Sequence, residues 1–197
     1  MLALLTGTGL SAAAGLNAYI PFLVVALLAR FTDVLELPSS IGWLGSWWAI
    51  GIGTVLLLSD VVLDKIPAVD SLNDAIQTAI RPAMGGVMFA ATSAAADADG
   101  SAWVHDHPWV SFVAGVVVAG VVHVGKATVR PVVNATTLGL GGPVVSTVED
   151  GTSVGLSLVA VFVPLLVLVL LVALVVAFVV LRRRRRRLRA AGPGTAA

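Results

Sequence analysis

The residues of this chain that could do chemistry gather in its middle. Asp60 and Asp64 are four apart, a spacing that puts both carboxylates on one face of a helix. Asp74, Gln77 and Arg81 form an i, i+3, i+7 stripe, and His123 lies three before Lys126. Arg130, Asn134 and Thr137 form a second stripe at i, i+4, i+7. In this set Asp60, Asp64, Asp70 and Asp74 balance Lys65, Arg81, Lys126 and Arg130. Carboxylates of this kind suit a cation or a proton. Arg81 could serve as their counter-charge or contact an anion, and Asn17 and Asn134 could act as neutral ligands. A blander reading stands beside this one. The groups are a few positions from expected helix ends, where long side chains snorkel to water. Asp70 and Asp74 could simply cap a helix.

Other chemistries find little support. The chain has no Cys, which removes disulfides, thiolate metal sites and cysteine nucleophiles. Gly151-Thr-Ser153-Val-Gly155 has the letters of a nucleophile elbow, but it opens an apolar segment and no His follows it. His105 and His107, with Asp97 and Asp99 near, read as a solvated loop before they read as a metal site. Neither a cofactor, a metal nor an enzymatic activity is expected.

Apolar helices must position these groups. Hydrophobic residues make up 58% of the 197 and charged residues 12%, about half the share in a soluble domain. That argues against a soluble enzyme, a nucleic-acid-binding domain and a disordered chain. A bilayer core needs roughly 20 apolar residues per helix. Segments 2–29, 41–63, 75–96, 109–125, 131–148 and 151–181 are the candidates. The expected fold is an all-α integral membrane protein with about six transmembrane helices. Segments 75–96 and 131–148, the third and fifth, either span or re-enter. Residues 1–181 form one polytopic domain, and 182–197 form a cytoplasmic, Arg-rich tail whose composition predicts disorder.

In the six-span reading Lys65, Lys126, Arg130 and the tail lie inside with both termini, and the acids Asp33, Glu36, Asp97, Asp99, Asp106, Glu149 and Asp150 lie outside. Pro21, Pro82 and Pro143 are spaced by 61 and would break the odd-numbered helices. Lys65/Lys126, Asn73/Asn134 and Trp48/Trp109 share that offset, which suggests a repeated helical hairpin; chance similarity of apolar segments is the other reading. Gly7, Ser11 and Gly15, and again Gly151 and Gly155, give flat faces for close helix packing within or between chains. Arg182, Arg183, Arg184, Arg185, Arg186 and Arg187 follow the last apolar stretch directly, as a stop-transfer anchor for anionic lipid would; nucleic acid is not an expected partner.

Gly15-Leu-Asn-Ala-Tyr-Ile-Pro21, Asp64-Lys-Ile-Pro67 with Asp70-Ser-Leu-Asn-Asp74 and Arg81-Pro82, and Gly142-Pro143 with Ser146-Thr-Val-Glu-Asp150 occur together. In this combination the chain resembles a bacterial family of small integral membrane proteins known as domain of unknown function 4126, over about residues 2 to 175. The resemblance implies a polytopic protein of the bacterial cytoplasmic (inner) membrane and carries no catalytic role. The leading functional expectation is a small membrane transporter or channel-like protein for an ion or small solute, with an inward-facing polar cavity. A homo-oligomer is expected. The alternative is a non-catalytic membrane scaffold or lipid-associated accessory protein.

Overall fold

The computed structural model describes residues 2–35, 37, 39, 41–93, 107–137, 141–170, 172, 173 and 176. Arg182 to Arg187, the acids of the 97–106 stretch, His105 and the side chain of Asn134 lie outside the described residues. The described residues are helical, without strands. In chain order they are α1 (Leu2–Leu16), α2 (Tyr19–Phe31), a 3-10 turn (Gly42–Gly45), α3 (Trp47–Leu63), α4 (Pro67–Ser93), α5 (Pro108–Thr136) and α6 (Gly141–Phe162). Residues 164–170 are helical again after a break at Val163.

The stretch 2–29 is two helices, not one, and the break is at Asn17 rather than at Pro21. The Asn17 N–H donates to Ala13 O at 3.0 Å, which closes α1. Its side-chain Oδ1 accepts from the N–H groups of Tyr19 at 3.0 Å and Ile20 at 3.3 Å, the open donors of the first turn of α2. Pro21 then falls in that first turn, where its missing N–H has no helical partner to lose. Pro143 likewise stands in the first turn of α6. Pro82 does not break its helix either: α4 runs through it, held along its length by α5 and α1.

The expected loop at 126–130 is the interior of α5, and the expected outer loop at Glu149-Asp150 is the interior of α6. Segment 131–148 is thus neither a span nor a re-entrant helix of its own. Its described residues are the end of α5 with its C-cap Thr137, and the start of α6 from Gly141. The helix ends do not follow the offset of 61. The turn between α3 and α4 at 64–66 corresponds to 125–127, inside α5.

The helices pack chiefly as α4 on α5 and α1 on α4, α5 and α6, rather than as the hairpins α1–α2, α3–α4 and α5–α6. The core cluster joins Val25 and Leu44 to Leu10, Met88 and Ala160. Those last three belong to the half of the bundle from which α1 rises, so α2 turns back past it. Phe22 against Gly53 and Asn17 against Asp60 set α3 antiparallel to α2. Gly7 against Thr92 and Ser11 against Gly85 set α4 antiparallel to α1. The start of α1 therefore shares an end of the bundle with Ser93 and Trp109, opposite Lys65. The expectation that the N-terminus sits beside the Lys65 turn is corrected by this packing.

Small residues make the contacts close. A Cβ added at Gly7 would stand 2.6 Å from Thr92 Oγ1, and at Gly15 it would stand 2.5 Å from the carbonyl oxygen of Ala119. Ser11 Oγ donates to Gly85 O at 2.8 Å. The stripe Gly7, Ser11, Gly15 is thus used within the chain, whereas Gly151 and Gly155 meet nothing within 4 Å among the described residues. Arg30 lies 4.4 Å over the Trp47 ring, which also meets Phe31 edge-on at 5.8 Å. The outer surface is apolar: Val121 is 69% exposed, Val144 64% and Leu165 63%. Trp109–Val133 and Gly141–Phe162 are long and apolar enough to cross a membrane.

Candidate functional site

The polar residues face inward to one buried centre, where the α1–α2 turn and the end of α3 meet the first half of α4, the second half of α5 and the middle of α6. Arg81 lies near the midpoint of α4, with about 20 Å of helix on either side at 1.5 Å per residue. Asp60, Asp64, Arg81, Lys126 and Arg130 are all buried.

Arg130 is the hub. Its Nη2 donates to Asp64 Oδ2 at 2.8 Å and to Glu149 Oε2 at 2.7 Å, and its Nη1 donates to Asp74 Oδ2 at 3.2 Å. One guanidinium from α5 thereby ties together α3, α4 and α6. The planar fork of Arg suits this, since its donors point in fixed directions toward several carboxylates. Lys126, one turn earlier, stands 3.0 Å from Glu149 Oε2 and 3.8 Å from Asp64 Oδ2. It also donates to Leu16 O at 3.1 Å, where a cation complements the C-terminal end of α1. Arg81 is fully buried, 3.6 Å from Asp74 Oδ1, 3.8 Å from Asp60 Oδ2 and 3.9 Å from Asp64 Oδ2. None of its three nitrogens makes a hydrogen bond among the described residues.

Amides surround Asp60. Its Oδ1 accepts from Asn73 Nδ2 at 2.7 Å and Gln77 Nε2 at 2.8 Å, and its Oδ2 accepts from Asn17 Nδ2 at 3.1 Å. The second hydrogen of the Asn17 amide goes to Asp150 Oδ1 at 2.9 Å. Asn17 thus uses both its donors on carboxylates and its oxygen on the start of α2, which exhausts an amide's capacity. Asn17→Ala removes the cap and both bridges, with an expected loss of about 1–2 kcal/mol in stability, read by thermal denaturation in detergent.

Of the residues singled out in the sequence, Asn17, Asp60, Asp64, Asp74, Gln77 and Arg81 converge here. His123 lies at the edge, its Nε2 3.0 Å from Thr78 Oγ1. Sequence reasoning missed Glu149 and Asp150 altogether, along with Asn73 as a ligand of Asp60 and Asp64. A signal for them existed. Ser146, Glu149 or Asp150, Ser153 and Ser157 recur at helical spacing through an otherwise apolar run, and all three serines are buried.

Among the described residues, three cations, Arg81, Lys126 and Arg130, face five carboxylates, Asp60, Asp64, Asp74, Glu149 and Asp150. The centre therefore carries an excess of two negative charges when all are ionised and His123 is neutral. No group of metal-type ligands occurs among the described residues.

A family model for a domain of unknown function, DUF4126, matches residues 4–184. The chain belongs to this family. The DUF4126 match takes in every member of the charged centre, from Asn17 to Asp150. No curated protein and no solved structure matches.

Proposed function

We propose that this DUF4126 protein is a multi-pass protein of the bacterial inner membrane that moves a small cation through its charged centre. The observation that carries this reading is the excess of carboxylates over cations in a largely buried centre, with Asp60 and Asp64 buried and Asp74, Glu149 and Asp150 partly so, among helices whose outer surface is apolar. Ionisable groups at such depth are energetically unfavourable unless paired or hydrated, and in membrane proteins they mark ion pathways.

The helix lengths support the same placement. With 15 and 13 residues, α1 and α2 extend only about 20 Å each, short of a hydrocarbon core of about 30 Å. They form a re-entrant hairpin whose tip, Asn17, reaches the charged centre. Half-length helices whose ends point at a central site are a recurring transporter device. The end of the bundle that holds Trp47, Trp109, Asp33 and the N-terminus faces outward. The Lys65 turn and the Arg tail face the cytoplasm, where anionic lipid holds the tail.

Reconstitution into proteoliposomes tests the reading. Flux of at least one of Na⁺, K⁺, Li⁺, Mg²⁺ or Ca²⁺ is expected, and Asp60→Asn should lower it about tenfold or more, because a charged acceptor of three hydrogen bonds is lost. Absence of protein-dependent flux for the whole panel overturns the proposal. In that case the open face at Gly151 and Gly155 favours the second reading, a membrane scaffold or lipid-associated accessory protein that docks on a partner helix.

A further inference from the structure

We propose that Asp60 and Asp150, joined through the single amide nitrogen of Asn17, form a proton-binding pair that releases its proton when a cation enters the centre. The inference rests on the transport reading above and names the coupling ion.

The four other charged groups nearest the hub are matched by geometry. Asp64, Asp74 and Glu149 all bond to Arg130, and Lys126 adds to Glu149. Asp150 has no cation within 4.0 Å among the described residues, and its hydrogen bond is to Asn17. Asp60 has only the distant Arg81, at 3.8 Å. The carboxylate without a cation and the one with only a distant cation are therefore the two that share Asn17. A second observation points to the ligand. Gln77 is 2% exposed, and its Nε2 donates to Asp60 Oδ1, yet its Oε1 has no hydrogen-bond partner among the described residues. A buried amide oxygen without a donor is rare. A protonated Asp60 supplies one: its O–H can donate to Gln77 Oε1 while Asn73 continues to donate to the carboxyl group. A proton also needs no cavity, which suits side chains packed this closely.

The surroundings tune the pair from every side. Asp64 on α3 and Glu149 on α6 add negative charge. Arg81 on α4, Lys126 on α5 and Lys65 at the α3–α4 turn add positive charge. Asn17 and Tyr19 come from the α1–α2 turn, with Tyr19 Oη 3.4 Å from Gln77 Nε2. On uptake one carboxylate oxygen gains an O–H bond and the centre loses one negative charge. On release that O–H bond breaks, the proton goes to water, and the freed charge receives the incoming cation. The pair titrates as a unit, not as two independent acids.

Infrared spectroscopy on the full chain in detergent tests this without any flux measurement. Wild type near neutral pH should show the carbonyl band of a protonated buried carboxyl group. Adding NaCl or KCl, with choline chloride as control, should remove the band and release about one proton per chain into weakly buffered solution. Asp150→Asn should abolish both signals, and Asp150→Glu should restore them, which separates proton binding from failure to fold. Cation flux in proteoliposomes with no such band in wild type, or with a band unchanged in both Asp60→Asn and Asp150→Asn, overturns the inference and leaves the transport reading standing. A band that behaves as stated, in protein that moves no cation, supports the proton site and removes the transport reading instead.

Discussion

Arg130→Ala should destabilise the protein by about 3–5 kcal/mol, the loss that follows when one partner of a buried ion pair is removed. The reason is what stays behind. Asp64, Asp74 and Glu149 each bond to this guanidinium at 2.7–3.2 Å, and they come from three different helices. Truncation leaves buried carboxylates with only Lys126, which already serves Glu149 and Leu16 O, and Arg81 at 3.6–3.9 Å. For a chain of this size the midpoint of thermal denaturation should fall on the order of 10 °C, followed by size exclusion after stepwise heating. Arg130→Lys should recover only part of this, because an ammonium cannot span three carboxylates with the geometry of a planar fork. A melting point within 2 °C or so of wild type for Arg130→Ala would mean that the three acids are neutral or hydrated and that the centre is not held by this ion pair.

Gly115→Leu should be almost as damaging, at about 3 kcal/mol, the upper part of the range for overpacking. Here the contact is with backbone. A Cβ at position 115 runs into the carbonyl oxygen of Gly85 and lies 2.7 Å from Phe89 Cβ, and a Cβ at Gly85 in turn meets Ala119 Cβ. Neither neighbour can rotate away, so α4 and α5 must separate. Their separation would pull Arg81 and Arg130 away from shared carboxylates, and loss of fold and loss of flux should therefore go together. Gly151→Leu supplies the contrast: nothing among the described residues lies within 4 Å of it, and its effect on the melting point of the monomer should stay within about 0.5 kcal/mol. Equal effects at 115 and 151 would show that residue type, not close helix approach, governs the outcome.

Much of the centre was legible before the fold. The stripes Asp60/Asp64 and Asp74/Gln77/Arg81 depend only on helical spacing, and both segments are helical. The stripe Gly7, Ser11, Gly15 announced a close helix contact, and α4 and α5 fill it. The failures have a common cause. Glu149-Asp150 and Lys126–Arg130 read as loops in the sequence because an isolated helix does not carry such charges through an apolar environment. Each is in fact satisfied by another helix: Glu149 by Arg130, Asp150 by Asn17, Lys126 by Leu16 O. A break was placed at Pro21 because proline is the usual breaker, yet an asparagine side chain four residues earlier does the capping.

The amino-acid order by itself determined the helical, apolar character of this DUF4126 protein, the positions of its polar stripes and the small residues through which its helices touch. Those properties are local: they depend on composition and on a period of 3.6 residues, which neighbours in space do not alter. Which helices continue, where the chain turns back and which carboxylates lack a cation were decided only by the tertiary structure. A charged helix interior is stable only if a partner stands opposite it, and that partner lies up to 133 positions away along the chain, as Asp150 does from Asn17.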